Sequence, residues 1–119
     1  MITTKGTEII QGSALKFTDV MPGVSKQDLW GDARGQHGGI TRLKAGFAAP
    51  MHTHSYDVRM VVISGTLIHG DAAGEMTRLG PGSYCYIPAG LKHTTGCDKG
   101  SDCQFYEEQP GNFDLNLVK

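Results

Sequence analysis

Short apolar stretches alternate with polar residues along this chain, and nearly every stretch is closed by glycine or proline. A period of two sends successive side chains to opposite faces of a strand, whereas the 3.6-residue spacing of an amphipathic helix is nearly absent. The pattern predicts a strand over 14–20, broken by Pro22 and Gly23. A looser segment then runs from Trp30 to the glycine pair Gly38 and Gly39. Further strands are predicted over 40–43, 58–64, 66–69, 76–79, 83–87 and 104–107, with another around His93. The turn signals between them are Gly65, the 71–74 segment, Gly80 with Pro81 and Gly82, and Pro88 with Gly90. After Pro110 and Gly111, the alternation of 113–118 fits a strand that covers a sheet edge, pairs within the chain or reaches a neighbouring subunit. So many short strands favour an all-β sandwich or barrel over a parallel sheet with crossover helices.

Length and composition narrow the partners. With 119 residues and neither linker nor repeat, the chain reads as one domain over 1–119, close to the size at which oligomerisation aids stability. Eleven basic and twelve acidic residues leave a net charge of -1 without a basic stripe, so nucleic acid is not an expected partner. No apolar run has the length of a membrane span and the first residues lack a signal-like hydrophobic segment, which predicts no membrane association and a cytoplasmic location. Among the three cysteines, Cys97 and Cys103 flank a predicted hairpin connection. Reduced thiols on neighbouring strands are the preferred reading and an oxidised pair is the alternative.

The candidate chemistry is concentrated in imidazoles. His52 and His54 share one face of a strand, and His93 arrives from a later strand to complete a facial set of nitrogen donors for a divalent metal. Three neutral ligands leave the ion's charge uncancelled and its remaining positions open to water, dioxygen or an anionic substrate. The competing reading of a His-x-His pair is two imidazoles satisfied by hydrogen bonds. Elsewhere the signals are poor. The glycines of 35–39 lack the Lys-Ser or Lys-Thr of a phosphate cradle, and Ser55 beside His54 makes no hydrolase triad. Cys85 reads as a small buried hydrophobe, and Met51, Met60 and Met76 read as adaptable packing.

Two segments carry a resemblance to a known family. The first, 46–65, contains His52 and His54 between Gly46 and Gly65; the second, 82–97, contains Gly82, Pro88, Gly90 and His93. In these motifs the chain resembles a small single-domain cupin. The resemblance implies a double-stranded β-helix, or jelly-roll barrel, with His52, His54 and His93 binding a divalent metal. Fe(II) is favoured, with Zn(II) or Ni(II) as alternatives. The family usually places a ligating glutamate four residues after the second histidine, and here that position is Val58. Regular alternation puts Val58 on the metal side and Asp57 on the other face. Three histidine ligands are therefore expected, an arrangement that resembles the all-histidine iron sites of some cupin dioxygenases.

Asp57, Arg59 and Tyr56 are the candidate catalytic residues around that site. Asp57 is a pocket candidate if a bulge changes its parity. Arg59 is either an outward residue in an ion pair or a guanidinium that orients a carboxylate or enolate. His69 reads as a solvent-facing or structural imidazole in preference to a fourth ligand. Tyr56, Tyr84, Tyr86 and Trp30 divide between core filling and lining of the cavity, with core filling preferred for most. The resemblance implies a metal-dependent enzyme, an iron(II) dioxygenase of a small β-dicarbonyl, enolate or phenolic compound. The alternatives are a noncatalytic small-molecule-binding or sensory protein, and a zinc-dependent isomerase, cyclase or lyase. It also implies a homodimer.

Overall fold

Strands as short as the turn spacing allows account for most of the chain in the computed structural model, which describes residues 2–4, 6–32 and 34–119. In chain order they are β1 (Ile2–Thr4), β2 (Thr7–Ile9), β3 (Thr18–Met21), β4 (Val24–Gly31), β5 (His37–Leu43), β6 (Ala48–Thr53) and β7 (Val58–Ser64). They continue as β8 (Leu67–Gly70), β9 (Met76–Leu79), β10 (Tyr84–Ile87), β11 (His93–Cys97), β12 (Cys103–Gln109) and β13 (Asn116–Leu117). The one helical element among the described residues is a 3-10 turn at Gly12–Ala14, so none is long and apolar enough to cross a membrane.

β1 and β2 form a separate hairpin. The other strands make a six-stranded sheet in the order β10-β7-β12-β5-β4-β3 and a five-stranded sheet in the order β13-β6-β11-β8-β9, with antiparallel pairing throughout. Both sheets give one face to a shared core, the arrangement expected of a jelly roll. In β7 the alternation is strict: Val58, Met60 and Val62 are buried while Arg59, Val61 and Ile63 face outward. They join Val24, Leu43, Leu67, Ile87 and Phe105 in the apolar core.

Several sequence expectations shift. The first predicted strand is observed as the shorter β3, preceded by a 3-10 turn at Gly12–Ala14. The segment read as loose is β4, whose backbone pairs with β3 on one side and β5 on the other. Gly38 and Gly39 lie within β5 instead of ending a loop. At Gly38 a side chain would strike Trp30 and Tyr106, whose indole N–H donates to the phenol oxygen over that glycine at 2.8 Å. Cys97 and Cys103 form a disulfide, correcting the preference for reduced thiols. The tight β11–β12 connection holds their Cα atoms 5.9 Å apart, within disulfide reach. The tail resolves to an intramolecular pairing, with β13 on the edge of β6.

Candidate metal centre

A change of strand parity puts His52 inside. His93 pairs with His52 and Thr95 pairs with Ala49, so three steps along β6 match two along β11. This is a β-bulge, and Pro50 occupies it, where the missing N–H costs no ladder bond. The bulge lets both Ala49 and His52 face the interior. His54 follows just beyond β6, and His93 opens β11. The three residues are 2%, 9% and 0% exposed, in that order. Their ring centroids lie 4.3 to 5.1 Å apart, and one ring nitrogen of each lies within 4.8 Å of the others.

Backbone carbonyls fix which nitrogen each ring offers. Nδ1 of His52 donates to the Pro50 carbonyl at 2.7 Å, that of His54 to Asp114 at 2.6 Å, and that of His93 to Leu91 at 3.0 Å. A carbonyl oxygen only accepts, so each Nδ1 carries the proton and each Nε2 keeps its lone pair. His93 Nε2 is buried with no hydrogen-bond partner among the described residues. A buried orphan acceptor is costly, and a cation bound by convergent lone pairs removes that cost. Burial pulls the His93 imidazole down to about 4, assisted by the neighbouring His52, His54 and His69 and opposed by the Leu91 carbonyl. Burial also lowers His52. Neutral imidazoles at neutral pH are the form that binds a metal, so this donor set fits a divalent ion.

The other sequence candidates lie around this centre rather than in it. Val58 is 1% exposed and lines the cavity beside His52 and His54, so an aliphatic group stands where a carboxylate is usual. Asp57 points away; its carboxylate accepts the Ala89 N–H at 2.8 Å and pins the turn that leads to His93. Arg59 follows the outward parity of β7. Its guanidinium lies 4.2 Å over the Tyr86 ring and donates to the Tyr84 hydroxyl at 2.9 Å, and no acid pairs with it among the described residues. Tyr56 is 41% exposed, in a position where its ring would meet any side chain at residue 111. Tyr84 and Tyr86 are neither core nor cavity residues, because the inward parity of β10 belongs to Cys85 and Ile87. Trp30 is likewise partly exposed, and Met76 lies at the surface. His69 stacks on His93 at 5.7 Å between centroids without joining the three donors. Burial raises the Cys85 thiol, the opposite of what a nucleophile needs.

The cavity between the sheets is small, with a volume of about 70 Å³. Its walls are mainly aliphatic and aromatic, but the six-stranded sheet contributes three polar side chains that sequence reading missed. Glu107, 7% exposed, accepts from Lys26 Nζ at 3.0 Å and from the Thr41 hydroxyl at 2.9 Å, both on Oε1. Lys26 Nζ also lies 3.3 Å from the centroid of the Phe113 ring. The local signal was the alternation of β12, which places Glu107 inward with Phe105. Its partners are 81 and 66 residues away and give no local sign. The tail is a second omission: beyond its carbonyl bond to His54, Asp114 accepts the Ser55 N–H at 2.8 Å and the Ser55 hydroxyl.

Comparison with solved structures shows the same architecture in cupins. The polyketide cyclase RemF from Streptomyces resistomycificus superposes with a TM-score of 0.81 at 19% identity, over 95% of this chain and 86% of its own. KdgF from Halomonas sp. gives 0.72 at 18% identity, over 87% and 94%. An RmlC-like cupin from Shewanella frigidimarina NCIMB 400 gives 0.71 at 17% identity, over 88% and 92%. At these identities the likeness establishes the cupin fold. No curated protein matches the chain by sequence. The family model described as Domain of unknown function (DUF4437) matches residues 11–117.

Proposed function

As a chain that belongs to the family described as Domain of unknown function (DUF4437) and has a cupin fold, we propose that this protein is a metal-dependent enzyme acting on a small oxygenated organic compound. The observation that carries the reading is the buried Nε2 of His93, without a partner among the described residues, beside His52 and His54, whose Nδ1 atoms are likewise bound to backbone carbonyls. These three residues would hold the ion, iron(II) by preference and zinc or nickel otherwise. Such an ion supplies Lewis acidity toward an anionic substrate oxygen and, when it is iron(II), the electrons for dioxygen chemistry.

The residues around the site set the substrate class. Val58, Met60, Ile87 and Phe105 give an apolar wall that binds a carbon skeleton and excludes water. A β-dicarbonyl, enolate or phenol suits this cavity, with its oxygens toward the histidines. Asp57 acts as a positioning residue, holding the turn before His93, while Arg59 and Tyr56 serve the outer surface. The whole of 1–119 works as one domain, and two copies pair through the outer face of the six-stranded sheet. Tyr84, Tyr86, Val61 and Ile63 support that pairing, being 57%, 41%, 41% and 46% exposed.

Oxygenation is tested by loading the protein with iron(II) without air and following oxygen uptake with 2,4-pentanedione and with a phenol. Uptake that disappears in His52→Ala and His93→Ala supports the reading. A second, non-redox reading is an isomerase, cyclase or lyase, favoured by the buried Glu107 carboxylate in the same cavity. Net conversion of substrate to a different product by zinc-loaded protein without oxygen, beyond proton exchange, selects that reading and overturns oxygenation. Tight binding without turnover under either metal selects a noncatalytic sensor.

A further inference from the structure

Glu107 lines the same cavity as His52 and His54, and His93 lies beside those two rings. The histidines belong to the sheet containing β6 and β11; Glu107 projects from β12 of the other sheet, between β7 and β5. Its partner on β5 is Gly39, so no side chain competes for the space beside it. Two donors converge on Oε1, which fixes the plane of the carboxylate, while Oε2 receives no hydrogen bond among the described residues. Lys26 is already engaged, with its ammonium on Oε1 and against the Phe113 ring. The two donors hold the carboxylate ionised and oriented, and Oε2 is the oxygen left to take a proton.

We propose that Glu107 is the proton acceptor for a carbon acid or phenol held in this cavity, with Lys26 and Thr41 as its positioning residues. The inference rests on the metal-dependent reading given above. A substrate with its oxygens toward His52, His54 and His93 turns an acidic C–H or O–H toward the opposite wall. Oε2 forms a bond to that hydrogen as the C–H or O–H bond breaks. The electron pair stays on the substrate as an enolate or phenolate, and Glu107 becomes a neutral acid that returns the proton to product or solvent. Nothing is oxidised or reduced in this step. The class of substrate that needs it is a β-dicarbonyl or a phenol, since both are acidified by the conjugation that stabilises their anions.

The test uses the full zinc-loaded chain and 2,4-pentanedione in deuterium oxide, with exchange at the central carbon followed by proton NMR. Wild type is expected to exchange faster than buffer. Glu107→Gln should lower that acceleration about 100-fold, the usual contribution of a positioned general base. Zinc content by elemental analysis and diketone affinity by calorimetry should stay the same in that variant. Glu107→Asp keeps the carboxylate with a shorter reach and should retain an intermediate rate, which separates loss of the base from loss of the fold. Equal exchange by wild type and Glu107→Gln overturns the role of Glu107, as does wild-type exchange no faster than buffer when zinc and diketone are both bound. A chain that binds no zinc overturns the metal-dependent reading, and this inference with it.

Discussion

Replacing Lys26 with methionine removes the ammonium but keeps an unbranched side chain of similar length over Phe113. Glu107 is then left in the cavity with the Thr41 hydroxyl as its remaining donor. At the observed 3.0 Å separation, opposite unit charges attract by about 5–6 kcal/mol at an effective dielectric of about 20. Desolvation of the two ions cancels much of that attraction in the intact pair. Removing one partner is different, because the other keeps its desolvation penalty; the usual cost is about 3–5 kcal/mol for a buried pair. The side chains here are 18% and 9% exposed, so water softens the loss and the expected cost of Lys26→Met is about 3 kcal/mol.

The converse change, Glu107→Gln, leaves the more exposed Lys26 on the Phe113 ring and keeps a carbonyl oxygen for Thr41. Its cost should be smaller, about 1–2 kcal/mol. The double variant has no buried charge to compensate, so the two losses should fail to add by about 2 kcal/mol. A domain of this size has a total stability of about 5–15 kcal/mol, enough for all four proteins to fold. Urea denaturation in the presence of a chelator measures these differences without metal linkage, and an unchanged slope confirms that the transition is comparable. Losses that add to within about 0.5 kcal/mol would show that the two side chains act independently and refute the reasoning.

Three further outcomes follow from the same structure. His93→Ala should reduce metal content from about one ion per chain to a small fraction, while Val58→Glu should keep or raise it by supplying a carboxylate ligand; full metal content in His93→Ala, measured by elemental analysis, contradicts the three-histidine centre. In the metal-free protein, the unfolded His93 imidazole titrates at its ordinary value of 6.5 and the folded one at about 4. The stability due to its neutral form is therefore complete above 6.5 and is lost as pH falls through the window to about 4, a decline of about 3 kcal/mol. The wild-type protein should lose this much more than His93→Gln in chelator-containing denaturations at pH 7 and pH 4, and equal losses would sink the assignment. Finally, Ile63→Lys with Tyr84→Lys puts charge on the exposed face of the six-stranded sheet. Light scattering should find wild type as a dimer and the double variant as a monomer with an unchanged circular dichroism spectrum, whereas a variant that stays dimeric moves the interface elsewhere.

What could be read in the sequence and what could not divides by range. The apolar run that forms β7 is bounded by its own residues, so its limits were legible, and alternation counted from His54 placed Val58 on the cavity side. The turn marked by Pro88 and Gly90, likewise local, announced the approach to His93. At β4 and β5 local reading failed, because Gly38 looks like a breaker until Trp30 and Tyr106 are known to occupy the space above it. The aromatic residues of β10 failed for a related reason: hydrophobicity suggests burial, yet parity assigns the inside to Cys85 and Ile87. The centre itself shows both cases. Three histidines at suggestive spacing were visible, but the bulge that turns His52 inward exists only in the pairing of β6 with β11. The carbonyl that orients His54 comes from 60 residues further along the chain, and Glu107 finds Lys26 across 81. A donor set can thus be recognised from spacing, because metal ligands are few and chemically distinctive. The groups that tune such a set are ordinary acids, amides and carbonyls, and only the folded sheets distinguish them from every other such group in the chain.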